Sequence, residues 1–162
     1  MTVNVTPKPL TAEAFAPYGD VIEVSGAPDM IINQGMCGRH HDRANVDFGE
    51  GRAGISLFDA KARSLPMTVA LVERHPLGSQ AFVPITGVPM IVVVAAAGET
   101  PGPIEAFISQ PGQSINLHRN TWHGVLTPLD RDGQYIVIDR IGDGNNLVEH
   151  WFKEPVIIDV PQ

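Results

Sequence analysis

Six histidines, at positions 40, 41, 75, 118, 123 and 150, are the side chains of this chain best suited to proton transfer or metal ligation. Five fall in three short polar clusters: Arg39-His40-His41-Asp42, Glu73-Arg74-His75-Pro76-Leu77-Gly78-Ser79-Gln80, and Asn116-Leu117-His118-Arg119-Asn120-Thr121-Trp122-His123. In an extended segment over 67–75, alternate side chains share a face, so Met67, Val69, Leu71, Glu73 and His75 form one row. An apolar row therefore leads into a carboxylate and an imidazole. A carboxylate enters an apolar interior only with a cation or a proton beside it, because desolvation is costly; the alternative is a strand end left in water. His123 can complete a site with His75, and a His and Glu set suits Zn, Ni, Fe or Mn. Taken singly, each histidine fits a hydrogen-bonded structural role equally well. His150, next to Trp151 and Phe152, is read in that way, and His40 is left unassigned.

The elements that must position these groups follow from periodicity. A helix is expected over 11–18, with Thr11 as its cap and Pro17-Tyr18-Gly19-Asp20 as its stop. Thereafter the period is two. Strands are expected at 21–24, 30–33, 55–58, 67–75, 79–84, 90–96, 104–108, 114–118, 122–126 and 135–140, with a further strand in the tail 148–160. Nothing alternates strand with helix, so a doubly wound fold is disfavoured and a mainly all-β sandwich or small barrel is expected. Sixteen Gly and fourteen Pro agree with the many turns such a fold needs.

Composition narrows the function classes. A chain of 162 residues with 43 % hydrophobic and 18 % charged residues is long enough for one domain with its own core. Its formal charge of −7 and lack of a basic block make nucleic acid an unlikely partner. The lone Cys37 allows no intrachain disulfide, which suits a reducing compartment. The N-terminus has no basic start followed by an apolar stretch, and the apolar run 88–97 contains Pro89 and is about half a membrane span. A cytoplasmic protein with no membrane contact is expected. There is no P-loop, no dinucleotide fingerprint, no cysteine pair for zinc and no strand-to-helix nucleophile elbow around Gly51-Arg52-Ala53-Gly54-Ile55-Ser56.

The second and third clusters look like the two cupin motifs, with Glu73, His75, Gln80 and Gly87 in the first and Asn120-Thr121-Trp122-His123 in the second. Two of the usual four ligand types differ, and Asn120 stands where glycine is usual. That altered pattern resembles the ureidoglycolate lyases. The similarity rests on Glu-Arg-His-Pro-Leu-Gly-Ser-Gln-Ala-Phe-Val-Pro at 73–84 and on His118-Arg119-Asn120-Thr121-Trp122-His123. It extends to Phe15-Ala16-Pro17-Tyr18-Gly19-Asp20-Val21-Ile22, to Asn33-Gln34-Gly35 with Arg39-His40-His41-Asp42, and to Ile138-Asp139-Arg140. His123-Gly124 departs from a histidine pair often seen there. The resemblance implies a cupin-like double-stranded β-helix or small β-barrel with one short N-terminal helix, a single domain over 1–162. It implies cleavage of (S)-ureidoglycolate to glyoxylate and urea in allantoin (purine) catabolism, a homodimer, and a divalent metal, nickel, for which His75, His123, Glu73 and Gln80 are the candidate ligands.

That reaction needs a base for the hydroxyl proton and an acid for the leaving nitrogen, and no electron sink. Glu73 or His123 is the expected base, and His75 or His118 the expected acid. The substrate carboxylate needs a cation, for which Arg39, Arg119 and Arg140 are candidates. Arg140 lies one position after Asp139 and so faces the other side of its strand; Arg39 and Arg119 rank above it. His41, Gln80 and Trp122 complete the expected substrate contacts. Two alternatives stand beside the lyase: another metal-dependent cupin enzyme, a dioxygenase or isomerase, and a non-catalytic cupin that binds a small acid.

Overall fold

The computed structural model describes residues 1–162. In chain order the elements are β1 (Val3–Val5), β2 (Lys8–Pro9), α1 (Ala12–Phe15), β3 (Gly19–Ile22), β4 (Met30–Ile32), β5 (Cys37–Arg39), β6 (Arg52–Ala60) and β7 (Met67–Arg74). They continue with β8 (Gln80–Pro84), β9 (Ile91–Ala95), β10 (Glu105–Ile108), β11 (Ser114–Leu117), β12 (Trp122–His123), β13 (Gly133–Ile141) and β14 (Val148–Ile158). The fold is mainly β and cupin-like, as expected.

Two sheets face one another. One runs β1-β14-β7-β12-β9-β10-β2 and the other β3-β11-β8-β13-β6, while β4 and β5 pair only with each other. The core between the sheets takes Met90, Val92 and Val94 from β9 and the approach to it, Phe82 from β8, Ile115 and Leu117 from β11, and Tyr135 and Val137 from β13. The opposite residues of β9, Ile91, Val93 and Ala95, join a second cluster with Met67, Val69, Val72, Trp122, Val156 and Ile158. Strand β9 is thus buried on both faces, which is why its sequence is continuously apolar.

The early helix is a single turn. Thr11 Oγ1 accepts from the Ala14 N–H at 3.2 Å, as its type predicts, but Pro17 has no N–H to continue the ladder and the chain turns after Ala16, itself still helical in φ and ψ. Phe15 and Tyr18 anchor that turn in the core. Three short strands carry no sequence signal: β1 and β2 are parallel edge additions to β14 and β10, and β5 holds a glycine.

The row expected along β7 is broken. Met67 and Val69 pack with Val72 in the cluster of Trp122, whereas Glu73 sits opposite His123. The alternation slips near Ala70, where the pairing with β14 jumps from Trp151 to Val156. A bulge of this kind shifts which side chains share a face. The apolar lead-in to Glu73 is therefore Leu71 alone, and the remainder of the row belongs to the outer cluster.

Candidate active site

Strand β12 has two residues and two faces. Trp122 pairs with Ala95 and buries its indole in the outer cluster, where Nε1 donates to the Gly98 carbonyl at 3.1 Å. His123 pairs with Val94 on one side and Glu73 on the other, so its ring enters the barrel. His75 follows from the end of β7, with ring centroids 5.1 Å apart. One ligand-capable atom from each of Glu73, His75 and His123 lies within 4.8 Å of the others. Gln80, Phe82, Phe58, Asp59, Ala60, Val125 and Leu126 complete an open cavity of about 450 Å³ around Glu73 and His123.

Hydrogen bonds fix the tautomers. His75 Nδ1 lies 2.7 Å from the Asn146 carbonyl and His123 Nδ1 lies 2.9 Å from the Gly124 carbonyl. A carbonyl only accepts, so each Nδ1 carries a proton, and Nε2 is the nitrogen that bears the lone pair in the neutral ring. Both Nε2 atoms are buried with no partner in the chain. Burial, with the His75 ring beside it, pushes the His123 pKa down to about 4, so this imidazole is neutral at pH 7. Burial also raises the Glu73 carboxyl above its usual range; His75 opposes this and Glu149 adds to it. Two imidazoles whose Nδ1 atoms are held by backbone carbonyls, with a carboxylate beside them, are a set that can hold a divalent metal ion, and these residues fit one.

Gln80 adds an oriented amide. Its Nε2 donates to Asp139 Oδ2 at 3.1 Å, and because a carboxylate cannot donate, Oε1 is the end left free. That oxygen is buried and has no partner in the chain. Asp139 is the residue that the sequence reading passed over. Its signal was the row Tyr135, Val137, Asp139 on β13, apolar and then acidic, whose first two members are fully buried.

The remaining candidates lie elsewhere. Ile115 and Leu117 point into the core, so Asn116 and His118 point away from it, and His118 Nε2 meets Asp20 Oδ2 at 3.0 Å. Arg119 grips Asp47 through Nε and Nη2, each at 2.9 Å. Arg140 donates to the Asp143 carbonyl, and Arg74, stacked over Trp122, bonds Asn120. Arg39 and His41 are exposed at the base of the β4–β5 hairpin; the backbone N–H of His41 donates to Asp29, and the Arg39 guanidinium has no partner in its own chain. His150 lies edge-on to Trp122 and Phe152 on the outer side, in keeping with a structural role. At Gly124, in place of a second histidine after His123, a Cβ would stand 3.3 Å from Val93 Cβ, a tight contact that a side chain there would have to relieve.

Imidazole lone pairs and a carboxylate kept from bulk water inside a β-barrel define a small-molecule enzyme of cupin-like architecture. A family model described as ureidoglycolate lyase matches residues 2–159. Ureidoglycolate lyase of Rhodobacter capsulatus is 58 % identical over 154 residues, covering 94 % of this chain and 96 % of its own. Ureidoglycolate lyase 2 of Rhizobium meliloti is 48 % identical over 94 % of this chain and 95 % of its own, and the Chelativorans sp. ureidoglycolate lyase 46 % over 98 % of each. The chain belongs to the ureidoglycolate lyase family.

Proposed function

We propose that this chain cleaves (S)-ureidoglycolate to glyoxylate and urea, in allantoin degradation, as a cytoplasmic homodimer whose site holds a divalent first-row metal. The observation that carries the reading is the pair of buried, unpartnered imidazole Nε2 atoms next to a carboxylate whose proton affinity burial has raised. His75, His123 and Glu73 would hold the metal, with nickel the ion that the family resemblance implies. Bound there, a metal would act as a Lewis acid and make the substrate hydroxyl more acidic.

The reaction moves one proton and needs no water. The hydroxyl loses its proton, its oxygen becomes the carbonyl of glyoxylate, and the carbon–nitrogen bond breaks with its electron pair going to nitrogen. Nitrogen then takes a proton and leaves as urea. Glu73 suits both transfers, since a carboxylate has two oxygens and ligation by one leaves the other as base. A raised pKa makes it a better base and still lets it return the proton. Gln80, with its amide fixed by Asp139, accepts a hydrogen bond from the ureido N–H groups through Oε1. His118 and Arg119 have no part in this scheme, because their partners are Asp20 and Asp47.

The deciding measurement is release of urea and glyoxylate from racemic ureidoglycolate, with and without chelator. Equal amounts of both, ending at half of the racemate, support the lyase, and loss on chelation with recovery on nickel supports the metal. Ammonia released without urea would make the enzyme an amidohydrolase. No turnover with any restored metal would favour a small-acid-binding cupin.

A further inference from the structure

The cavity lacks something its substrate requires. Its lining offers carboxylates at Glu73 and Asp59, with Asp139 held behind Gln80, and no cation. A substrate carboxylate entering this acidic mouth meets repulsion from Glu73 and Asp59, which a guanidinium at the mouth would offset. Arg74, Arg119 and Arg140 are each engaged away from the cavity.

Two other features of the chain are unfinished. Strands β4 and β5 form an isolated hairpin closed by a tight turn with positive φ at Asn33, Gln34 and Gly35. A lone two-stranded hairpin is marginal in water, yet this one presents Ile31 at 63 % and Met36 at 86 % exposure. Strand β6 is the free edge of the five-stranded sheet, nine residues long, with Ile55 at 74 % and Leu57 at 72 % exposure. A long apolar edge of that kind invites another strand. Within one chain the two cannot meet: the hairpin springs from β3 at the opposite edge of the same sheet, and Asp20 of β3 holds the returning segment through the Asn45 N–H. Between two chains related by a two-fold axis they can meet twice. Charge agrees, since the hairpin ends in Arg39-His40-His41 and β6 borders the acidic mouth.

We propose that a second copy of this chain completes the site: the β4–β5 hairpin of each copy lies along β6 of the other and places Arg39 at the mouth of that copy's cavity, where its guanidinium holds the substrate carboxylate. The role given to Arg39 rests on the lyase reading, whereas the exchange of hairpins does not.

The tests separate the two. In sedimentation velocity the wild-type chain should run as a dimer, and Leu57→Asp or Ile31→Asp should each give a folded single chain by circular dichroism. A wild-type monomer, or a dimer unaffected by either change, overturns the exchange. In a Cys37→Ser background, an Arg39→Cys chain mixed with a differently tagged Asp59→Cys chain should form a disulfide between the two tags, and its absence under oxidation overturns the placement of Arg39. Co-expressed Arg39→Ala and Glu73→Gln chains, each nearly inactive alone at low substrate, should recover about one quarter of wild-type activity, because half of random pairs are mixed and one of their two sites is intact. Activity that stays at the level of the parents means that Arg39 does not act across the interface. A wild-type dimer with the expected cross-link but no ureidoglycolate turnover would instead refute the lyase reading and leave the exchange standing.

Discussion

His118 and His123 lie five residues apart and each meets a carboxylate, yet they do opposite things. At His118 the charged groups are answered, with only the Asn116 Oδ1 left buried and unmet: Asp20 accepts from the Asn45 N–H, the Asn116 amide and His118, and Asp47 takes both arms of Arg119. These bonds fasten the segment between β5 and β6 over the end of the sheet. At His123 the tautomers are fixed but the working atoms are left without partners. The same residue types make a clasp where their hydrogen bonds close on one another and leave open ligand atoms, at the site proposed above, where they do not. Leaving buried polar atoms unmet costs stability, a cost that a ligand held at the proposed site would offset.

The contrast is broken most directly by truncating each imidazole. His123→Ala should lower kcat/KM by about 10²–10⁴-fold, from the usual worth of positioned proton-transfer and ligand groups, with an unchanged circular dichroism spectrum. His118→Ala should leave kcat within a factor of about two while weakening the clasp by roughly 1 kcal/mol. Equal losses from both would erase the distinction.

Stability should respond in the opposite sense. Asp20→Ala removes the acceptor of the Asn45 N–H and of His118 and one of the two acceptors of the Asn116 amide, and should cost about 1–3 kcal/mol, or roughly 3–10 °C in Tm. Glu73→Gln removes a buried charge and should raise the Tm of the chelator-treated protein by about 2–4 °C while abolishing turnover. A Glu73→Gln protein less stable than wild type would show that the carboxylate is already compensated within the chain.

Acid should separate the regions further. Burial works to raise the Asp20 pKa, but the Asn116 amide, the Asn45 N–H and His118 more than offset it, and the net shift is downward. Asp47 is also lowered, chiefly by Arg119. A carboxylate held below its unfolded value stabilises the fold above that value and loses the contribution as pH falls through the folded one. Tm should therefore drop between roughly pH 5 and pH 2, with a shallower drop in Asp20→Asn. Glu73 is shifted the other way, so its protonation relieves the fold. The smallest effect belongs to Arg119→Ala, whose partly exposed ion pair is worth less than about 1 kcal/mol, read as a small Tm shift with kinetics unchanged.

Much of this was legible in the sequence, and the misses have physical causes. Trp122-His123 announces one face for each ring, because an indole seeks apolar cover and its strand neighbour must then point the other way. The same alternation separates Ile115 and Leu117 from Asn116 and His118, so the outward aim of His118 was readable from β11 alone. Asp139 was readable along its own strand, but its pairing with Gln80 depends on the register between β8 and β13, which no local pattern fixes. The slip in β7 arises from a bulge against β14, a partner more than seventy residues away. The carbonyls of Asn146 and Gly124, which set both tautomers, belong to the backbone and leave no trace in side-chain chemistry.

Strand β12 also constrains how this gene can change. The link from β11 is pinned at both ends, with the Asn120 N–H on the His75 carbonyl and the Thr121 N–H on the His118 carbonyl. Within it Asn120 holds a positive φ of 68° and Thr121 Oγ1 donates to the Tyr18 carbonyl, so an added or removed residue would break these bonds and strain the register of Trp122 and His123 against β7 and β9. Loop length there is fixed by those bonds, and a one-codon insertion between 118 and 121 should lower both Tm and turnover.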